Sequence, residues 1–491
     1  MDAGLKDEEA VSLNQRKAEL PLYVTRLKVY PRAIAGQWRR VKWAVLIVLL
    51  GLYYLVPWIR WDRGPGAPDQ AILIDLEGRR GWFFDVVIWP QEVYFVTGLL
   101  ILGAFGLFLA TSLFGRVWCG FTCPQTVWTD LFMWVERLIE GDRNERMRLD
   151  RAPMSPGKAA RKTAKHAAWL AIAAATGGAW VFYYVDAPTT LVQIFRGEAS
   201  MEVYFFVGLF TATTYLLAGW AREQVCTYMC PWPRFQAAML DEQSVIVTYQ
   251  KWRGEPHGKH KAGESWEGRG DCIDCRLCIA VCPTGIDIRD GQQIECIGCG
   301  LCIDACNQTM AKIDRPRDLI RWDTLADQQA KERGGAGAAT PWRPVRARTI
   351  LYALLLTLVA GVMAGAFLLR TDTDLTVQRD RSPNFVRLSN GDIRNAYTVK
   401  IQNKRQVEQR FQLAVADLPS ARLGFVGAEV EGSGATTQLV VHADAVGTFR
   451  VFVTVPPGAA PSGSRSIEFQ IRDPDGRERA SHGAVFVGPA H

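Results

Sequence analysis

The sequence has no cysteine before position 119 and none in its last 185 residues, so all twelve cysteines lie between Cys119 and Cys306. Disulfide frameworks belong to exported parts of proteins, where the environment is oxidising. A terminal region of this length without cysteine therefore excludes such a framework there. The confinement of all twelve cysteines to one stretch favours metal or redox chemistry in a reducing compartment.

Two further absences limit what can be said about cofactors and partners. No glycine-rich fingerprint for a flavin or a nicotinamide nucleotide is present, so the sequence does not name an electron donor. The net charge is only +7, and the basic residues lie in segments between apolar runs, which argues against nucleic-acid binding.

What the sequence does contain is five long runs without charged residues, although its hydrophobic fraction of 48% is ordinary. About 20 consecutive apolar helical residues cross a bilayer core, and tryptophan and tyrosine near the run ends are typical of membrane interfaces. We therefore predict five transmembrane helices: Trp43–Ile59, Val93–Gly115, Ala167–Val185, Val203–Ala221 and Thr349–Leu369.

Basic residues predict the orientation of these spans. Five lie in residues 28–42 and ten in residues 116–165, whereas the connection between the third and fourth runs holds only Arg196. The positive-inside rule then places the N-terminus in the cytoplasm and, after five crossings, the C-terminus outside. The first span is expected to remain as an uncleaved anchor, because residues 1–42 are too long and polar for a signal peptide.

The helical region contains a short internal repeat. The tetrapeptide Glu-Val-Tyr-Phe occurs at 92–95 and again at 202–205, and each following run ends in a Cys-x3-Cys-Pro motif. The repeat predicts two related halves, each a helix pair followed by the motif, with both motifs on the cytoplasmic face.

A doubled cysteine run follows the fourth predicted span. Its spacing is that of bacterial ferredoxins, in which the fourth cysteine of each run ligates the other cluster. We therefore predict two 4Fe–4S clusters, and a zinc ribbon is the alternative. One cluster is assigned to Cys272, Cys275, Cys278 and Cys306, and the other to Cys282, Cys296, Cys299 and Cys302.

The two Cys-x3-Cys-Pro motifs form a second candidate site, which contains Cys119, Cys123, Cys226 and Cys230. Residues four apart share one face of a helix, and proline is tolerated in a first helical turn. Four soft thiolates suit Cu(I), zinc or an iron–sulfur cluster. The alternative is that these are small buried residues at helix ends.

The last 121 residues alternate apolar and polar side chains in short segments, as strands do. Four such segments are 396–401, 438–441, 449–453 and 467–471, separated by Gly, Pro, Asp and Asn. They predict an all-β immunoglobulin-like sandwich on the periplasmic side. Without a cluster of catalytic residues, docking onto a partner is the expected role.

The chain is thus expected to be a multi-domain membrane protein, an α-helical bundle with a cytoplasmic ferredoxin insert and a terminal sandwich. The predicted boundaries are 1–42 for the N-terminal segment, 43–221 for the four-span bundle, 222–346 for the cytoplasmic segment with its ferredoxin domain at about 265–315, 347–370 for the fifth helix and 371–491 for the sandwich.

The chain resembles the CcoG family, also called FixG or RdxA, the accessory proteins of cbb3-type cytochrome c oxidase assembly. The likeness is closest at residues 118–128, where Trp-Cys-Gly-Phe-Thr-Cys-Pro-Gln-Thr-Val-Trp surrounds the first motif. It is equally close in Arg253–Pro256 and across both cysteine runs, and the stretch Leu55–Gln70 is similar too.

The resemblance implies a cupric reductase in the bacterial inner membrane. Single electrons from the clusters would reach copper held near Cys119, Cys123, Cys226 and Cys230. Its implied partners are the catalytic subunit of the oxidase and copper chaperones or transporters. Two other functions stay open: a quinol-linked ferredoxin-type electron-transfer subunit, and an assembly scaffold whose clusters are structural or sensing.

Overall fold

The computed structural model describes residues 28–489 apart from 65–66, 262, 406, 419, 427–429 and 432–436. Residues 1–27 of the predicted N-terminal segment lie outside this described part. The chain divides into two compact units, one of Met1–Trp61 with Asp69–Met363 and the other of Asp62–Pro68 with Ala364–His491.

The first unit is mainly helical. Several of its helices begin at a capping residue. For example, Ser155 Oγ accepts a hydrogen bond from the Lys158 N–H at 3.2 Å, as expected for an N-cap serine. The helices are α1 (Gln37–Leu55), α2 (Tyr94–Phe114), α3 (Pro124–Glu140), α4 (Arg143–Arg151), α5 (Pro156–Val181), α6 (Ala187–Arg196), α7 (Met201–Thr214), α8 (Trp232–Met239), α9 (Lys251–Gly254), α10 (Leu277–Ala280), α11 (Leu301–Lys312) and α12 (Leu325–Gly334), and α13 (Ala347–Leu368) follows them in sequence.

Four helical segments are long and apolar enough to cross a membrane: Gln37–Trp58, Pro90–Phe114, Met201–Ala221 and Ala347–Leu368. They coincide with four of the five predicted spans. The remaining one, Ala167–Val185, is not among them. Most of it lies in α5, which is rich in Ala and Gly and begins with a basic, polar half. Four spans are thus supported by length and composition, and the predicted count of five is not confirmed.

Helix α5 nevertheless packs closely on its neighbours. A Cβ atom at Gly177 would lie 2.8 Å from the Val207 carbonyl oxygen in α7, so glycine permits this approach of two backbones. Phe132 of α3 and Trp169 of α5 pack together in a buried cluster. The Trp169 indole N–H also donates to the Phe132 carbonyl at 3.0 Å.

A buried ionic network joins α3 to the segments around it. The Glu136 carboxylate is fully buried and lies 2.9 Å from Arg146, 2.8 Å from Arg222 and 3.7 Å from Lys165. Burial alone would raise the pKa of Glu136, but the three cations lower it to about 2. The carboxylate therefore stays charged and holds three parts of the chain together.

The unit also contains two small antiparallel sheets. Strands β1 (Ile72–Asp75), β2 (Arg80–Phe83) and β3 (Val86–Ile88) form one sheet. Strands β4 (Val245–Tyr249) and β5 (Ile320–Thr324) form a two-stranded ribbon, with Val247 opposite Trp322. The ribbon and helix α11 share a buried core with the cysteine loops of residues 272–306.

The second unit is an immunoglobulin-like sandwich of two antiparallel sheets. Its strands are β6 (Thr373–Arg379), β7 (Val386–Arg387), β8 (Ile393–Asn403), β9 (Gln409–Ala416), β10 (Arg422–Val426), β11 (Val430–Glu431), β12 (Gln438–Val441), β13 (Ala445–Val455), β14 (Ser464–Arg472) and β15 (Glu478–Val487). In the first sheet the order is β10-β13-β8-β6 with β7 beside β8, and in the second it is β11-β12-β9-β14-β15. The four segments predicted as strands lie in β8, β12, β13 and β14, so these predictions are confirmed.

Alternation places one side of each strand in the core of this sandwich. Tyr397, Phe449 and Phe469 are fully buried there, and the rings of Tyr397 and Phe469 lie 4.9 Å apart at 61°. The Asn395 side chain bonds the Val487 backbone in both directions, at 2.8 and 3.1 Å. These contacts join the two sheets without a disulfide.

Candidate iron–sulfur and thiol site

The first Cys-x3-Cys-Pro motif lies at a break between two helices. Residues Trp118–Thr122 form a wide π-type turn, and the Cys123 N–H donates to the Trp118 carbonyl at 2.8 Å. Pro124 then opens α3, where its missing N–H costs nothing. Cys119 thus lies within a π-type turn and Cys123 directly after it, whereas the sequence predicted both on one face of a regular α-helix.

The second motif repeats this arrangement. Residues Val225–Met229 form a π-type turn, the Cys230 N–H donates to the Val225 carbonyl at 2.7 Å, and Pro231 precedes α8. The same chain path at both motifs agrees with the predicted internal repeat. Such π-type turns occur frequently at functional sites.

The structure brings the four thiols of these motifs into one region. Burial raises the pKa of Cys119 to about 11, with further contributions from Cys123 and Cys230. Burial also raises the pKa of Cys226 to about 12, and Cys123, Cys119 and Cys230 add to it. Cys119 and Cys226 thus share one buried environment with Cys123 and Cys230. Without a metal, Cys119 and Cys226 are therefore protonated thiols at neutral pH.

A buried polar pair adjoins this thiol site. The Cys119 thiol donates to Oε1 of Gln236 at 3.0 Å, and the Arg116 Nε–H donates to the same oxygen at 3.3 Å. The Gln236 amide donates in turn to the Thr111 hydroxyl at 3.3 Å. Gln236 thus fixes the positions of both the thiol and the guanidinium.

The two ferredoxin-like loops share one backbone shape. Asp274 and Arg276 of the first loop and Gly298 and Gly300 of the second occupy equivalent places between cysteines, and all four have φ between 51° and 72°. This left-handed conformation is unusual for residues other than glycine. Glycine in the second loop also leaves space, because a Cβ atom at Gly300 would lie 2.9 Å from the Trp38 ring.

The first predicted ligand set lies around one cavity. Cys272, Cys275, Cys278 and Cys306 all line it, with Arg289 and Thr309 beside them. Burial raises the pKa of Cys306 to about 12, and Cys275 and Cys272 add to that rise. The structure thus brings Cys306, from the second run, to the three cysteines of the first run.

The second predicted set is also brought together. Burial raises the pKa of Cys296 to about 12, and neighbouring Cys282 and Cys299 contribute. Burial also raises the pKa of Cys302, and Cys299, Cys296 and Cys282 add to that rise, as does Cys278 of the other set. The surroundings of Cys296 and Cys302 thus include Cys282 of the first run, which agrees with the crossed assignment, and the two ligand sets remain a prediction. Four cysteines around one cavity fit a 4Fe–4S cluster.

The thiol site and the second ligand set are in direct contact. Cys119 belongs to the same buried hydrophobic cluster as Cys299, Ile297 and Leu301. A Cβ atom at Gly120 would lie 2.6 Å from the Gly298 carbonyl oxygen, so glycine allows the two loops to touch.

Across residues 28–489, leaving aside the gaps in that range, no three His, Cys, Asp or Glu side chains are gathered closely enough to hold one metal ion. The eight ferredoxin-type cysteines are included in this result. Sulfurs around one tetrahedral ion lie about 3.8 Å apart for metal–sulfur bonds of about 2.3 Å. Holding a single ion at the Cys-x3-Cys-Pro thiols therefore requires these side chains to turn toward one another.

Comparison with known proteins adds three family models. A "4Fe-4S dicluster domain" matches residues 221–325, a "4Fe-4S binding domain" matches residues 96–141, and the "IG-like fold at C-terminal of FixG" matches residues 363–489. The nitrogen fixation protein FixG of Rhizobium meliloti is 47% identical over 98% of this chain and 96% of its own length.

The chain belongs to the FixG/RdxA family. Protein RdxA of Cereibacter sphaeroides is 49% identical over 95% of this chain and 99% of its own length. The resemblance found from the sequence motifs is thereby confirmed. This FixG/RdxA-family protein is accordingly a ferredoxin-like iron–sulfur membrane protein of electron transfer.

Two other relatives match smaller parts of this FixG/RdxA-family protein. The methylamine utilization ferredoxin-type protein MauN of Paracoccus denitrificans is 26% identical over 40% of this chain and 56% of its own length. The crystal structure of a FixG-related protein from Vibrio parahaemolyticus is 21% identical, covers 24% of this chain and 97% of its own, and has a TM-score of 0.20. That TM-score supports no structural argument.

Arg116 and Gln236 are site residues that the sequence analysis did not identify. Arg116 was counted only as one of the basic residues that set orientation. A local signal existed, because Arg116 and Arg222 each end an apolar run just before a Cys-x3-Cys-Pro motif. Gln236 gave no signal, since its contact with Cys119 spans 117 positions of sequence.

Proposed function

We propose that this protein reduces Cu(II) to Cu(I) for the assembly of cbb3-type cytochrome c oxidase. The observation that supports this most directly is the packing of Cys119, a thiol of the first Cys-x3-Cys-Pro motif, in one buried cluster with Cys299, a predicted cluster ligand. A metal at the thiol site would lie next to the cluster loop, and 4Fe–4S clusters supply electrons one at a time.

The two predicted cluster sites form the incoming route. Cys272, Cys275, Cys278 and Cys306 would hold one cluster, and Cys282, Cys296, Cys299 and Cys302 the other. Cys278 and Cys302 lie within electrostatic reach of each other, which brings the two sites close together. A low-potential one-electron donor is required, and one electron is used for each Cu(II) converted to Cu(I).

The four thiols suit the product of this reaction. Cu(II) favours nitrogen and oxygen ligands, whereas Cu(I) favours thiolates. Cys119, Cys123, Cys226 and Cys230 would therefore bind Cu(I) more tightly than Cu(II), which favours reduction. Because the pKa values of Cys119 and Cys226 are raised, binding releases their protons to the surrounding solvent.

The location follows from the same proposal. The thiol motifs and cluster loops would face the cytoplasm of a bacterial inner membrane, where the reducing environment keeps thiols free. The sandwich would face the periplasm and dock onto the oxidase catalytic subunit or a copper chaperone or transporter. The domain boundaries given above remain predictions.

An anaerobic single-turnover experiment tests the copper proposal. Purified, cluster-loaded protein is reduced with dithionite, freed of excess reductant and mixed with Cu(II). Cluster bleaching is followed together with a Cu(I)-specific chelator. We expect stoichiometric Cu(I) that matches cluster oxidation, and loss of Cu(I) formation in Cys119→Ala and Cys226→Ala.

Thr122→Ala is the matched control, because Thr122 lies in the same π-type turn and its hydroxyl donates to the Trp118 carbonyl at 3.2 Å. Cu(I) formation should be unchanged in this variant. Clusters that stay reduced in the presence of Cu(II) would show that copper is not the acceptor. Full Cu(I) formation in both cysteine variants would exclude the thiols as the copper site.

A second candidate is an electron-transfer subunit with a third iron–sulfur cluster on the four thiols. The "4Fe-4S binding domain" match at residues 96–141 favours it, since Cys119 and Cys123 are the only cysteines in that range. Iron analysis separates the candidates. About eight iron atoms per chain agree with two clusters, and about twelve would indicate three.

A further inference from the structure

Arg116 lies between the thiol site and the second cluster loop. It follows α2 and Gly115, and only 6% of its surface is exposed. Its guanidinium donates to Oε1 of Gln236 and to the backbone carbonyl of Ile294, two residues before Cys296. It also lines a cavity together with Cys296 and Gly298.

In the described part of the chain this buried cation forms no ion pair with a carboxylate, and its guanidinium contacts an amide oxygen, a backbone carbonyl and the Cys119 sulfur. Arg222, which precedes the second motif, differs in this respect, since it pairs with Glu136 at 2.8 Å. A buried charge without a counter-ion is costly. The two otherwise similar arginines therefore have different electrostatic requirements.

The groups that can supply negative charge to Arg116 are cysteine sulfurs. Arg116 and the Cys119 thiol donate to the same Gln236 oxygen, and Arg116 lines one cavity with Cys296. Neutral thiols do not neutralise a guanidinium. Thiolates that ligate a metal or a cluster carry negative charge, so the counter-ions of Arg116 would be present only when these sites are loaded.

We propose that Arg116 is the shared counter-ion of the second cluster site and the Cys-x3-Cys-Pro thiols, and that it raises the reduction potential of the cluster held by Cys282, Cys296, Cys299 and Cys302. The reduced form of a cluster is the more negative one, so a nearby cation stabilises it. The part concerning the thiols rests on the proposed function, whereas the part concerning the cluster does not. Arg116 acts as a positioning residue, with Gln236 holding it in place.

Potentiometric titration followed by electron paramagnetic resonance tests this proposal on the full-length protein. In Arg116→Gln, we expect the midpoint potential of the second cluster to shift to a more negative value. The first cluster, whose four cysteines line a cavity that Arg116 does not line, should keep its potential and serves as an internal control. Arg148→Gln, an exposed arginine on α4, should leave both potentials unchanged.

Two further variants separate charge from structure. Arg116→Lys keeps the positive charge and should restore most of the potential. Gln236→Glu keeps Arg116 but places a carboxylate beside it, so the second cluster should again become harder to reduce. If Arg116→Gln loses its iron, the other two variants still test the proposal, because Arg116→Lys should keep most of the potential and Gln236→Glu should make it more negative. Equal potentials in all variants, or equal shifts of both clusters, would overturn the proposal.

Copper binding is measured separately, by competition of Cu(I) against a chelator of known affinity. If Arg116 also balances the charge of the Cu(I)-binding thiolates, Cu(I) binding should be weaker in Arg116→Gln, by about tenfold for each 1.4 kcal/mol of lost stabilisation. If the cluster potential shifts but Cys119→Ala and Cys226→Ala bind Cu(I) like the wild type, the copper site is wrong and the effect of Arg116 on the cluster stands. Normal Cu(I) affinity in Arg116→Gln, with binding lost in the cysteine variants, would refute the shared role.

Discussion

The thiol of Cys119 donates a hydrogen bond to Oε1 of Gln236 at 3.0 Å, and the same oxygen accepts from Arg116. One neutral side chain on α8, after the second Cys-x3-Cys-Pro motif, thus orients two groups that lie at the first. Gln236 is only 1% exposed. The contact links the two halves of the internal repeat.

Replacement of Gln236 by leucine removes this acceptor. Cys119 and the Arg116 Nε–H then lose a hydrogen-bond partner inside the protein, so we expect the free energy of unfolding to fall by about 1–3 kcal/mol. The melting temperature in detergent measures the effect. Gln292→Leu, at an exposed position, is the control. Equal melting temperatures for Gln236→Leu and the wild type would contradict this prediction.

The crossed assignment of the cluster ligands makes a specific prediction. Cys282→Ser should remove the same cluster signal as Cys296→Ser, although the two residues belong to different cysteine runs. Cys306→Ser should likewise match Cys272→Ser. Electron paramagnetic resonance spectra of the four reduced variants give the comparison. If Cys282→Ser matched Cys272→Ser instead, each run would hold its own cluster.

Replacement of Glu136 by glutamine removes the carboxylate that pairs with buried Arg146 and Arg222, whereas Lys165 keeps its ion pair with Glu140 at 3.0 Å. Removing one partner of a buried ion network typically costs about 3–5 kcal/mol, and we expect a loss of that size in the free energy of unfolding. Thermal unfolding in detergent is the measurement. Glu77→Gln, at an exposed position, should differ little from the wild type.

The same carboxylate predicts a pH dependence. Its pKa is lowered from 4.5 to about 2, because its ion pairs with Arg222, Arg146 and Lys165 outweigh the effect of burial. A lowered pKa stabilises the folded state fully above pH 4.5, and this contribution is lost as the pH falls toward 2. Melting temperatures between these values should fall less steeply in Glu136→Gln than in the wild type. Parallel pH curves would argue against this role of Glu136.

In the sandwich, Phe469 and Tyr397 provide a fifth prediction. Phe469→Ala opens a cavity in the core, and such changes cost about 3–5 kcal/mol. Tyr397→Phe removes only the hydroxyl that donates to the Val485 carbonyl at 3.0 Å, which should cost about 1 kcal/mol. Calorimetry of the full-length protein measures both, and Val485→Ala, with 42% of its surface exposed, should change little. A larger loss of stability in Tyr397→Phe than in Phe469→Ala would show that packing of Phe469 is not the larger contribution.

The features that could be predicted from the sequence are those that depend on spacing between neighbouring residues. Cysteine spacing indicated the two ligand sets, alternation located strands such as β13, and apolar runs located four helices that can span a membrane. The run in α5 shows the limit of this approach. Absence of charge alone indicated a span, but the helix that contains this run begins with a basic, polar half, and its backbone contact at Gly177 depends on packing against α7.

The amino-acid sequence by itself determined the kinds of ligand, their spacing and the order of the units, because these depend on neighbouring residues and on solvent. Only the tertiary structure decided which distant groups meet: Cys119 with Cys299, Gln236 with Arg116, and Glu136 with Arg222. Such contacts join segments that are tens to hundreds of positions apart. Their energies depend on burial and on the arrangement of several side chains at once, which no local pattern records.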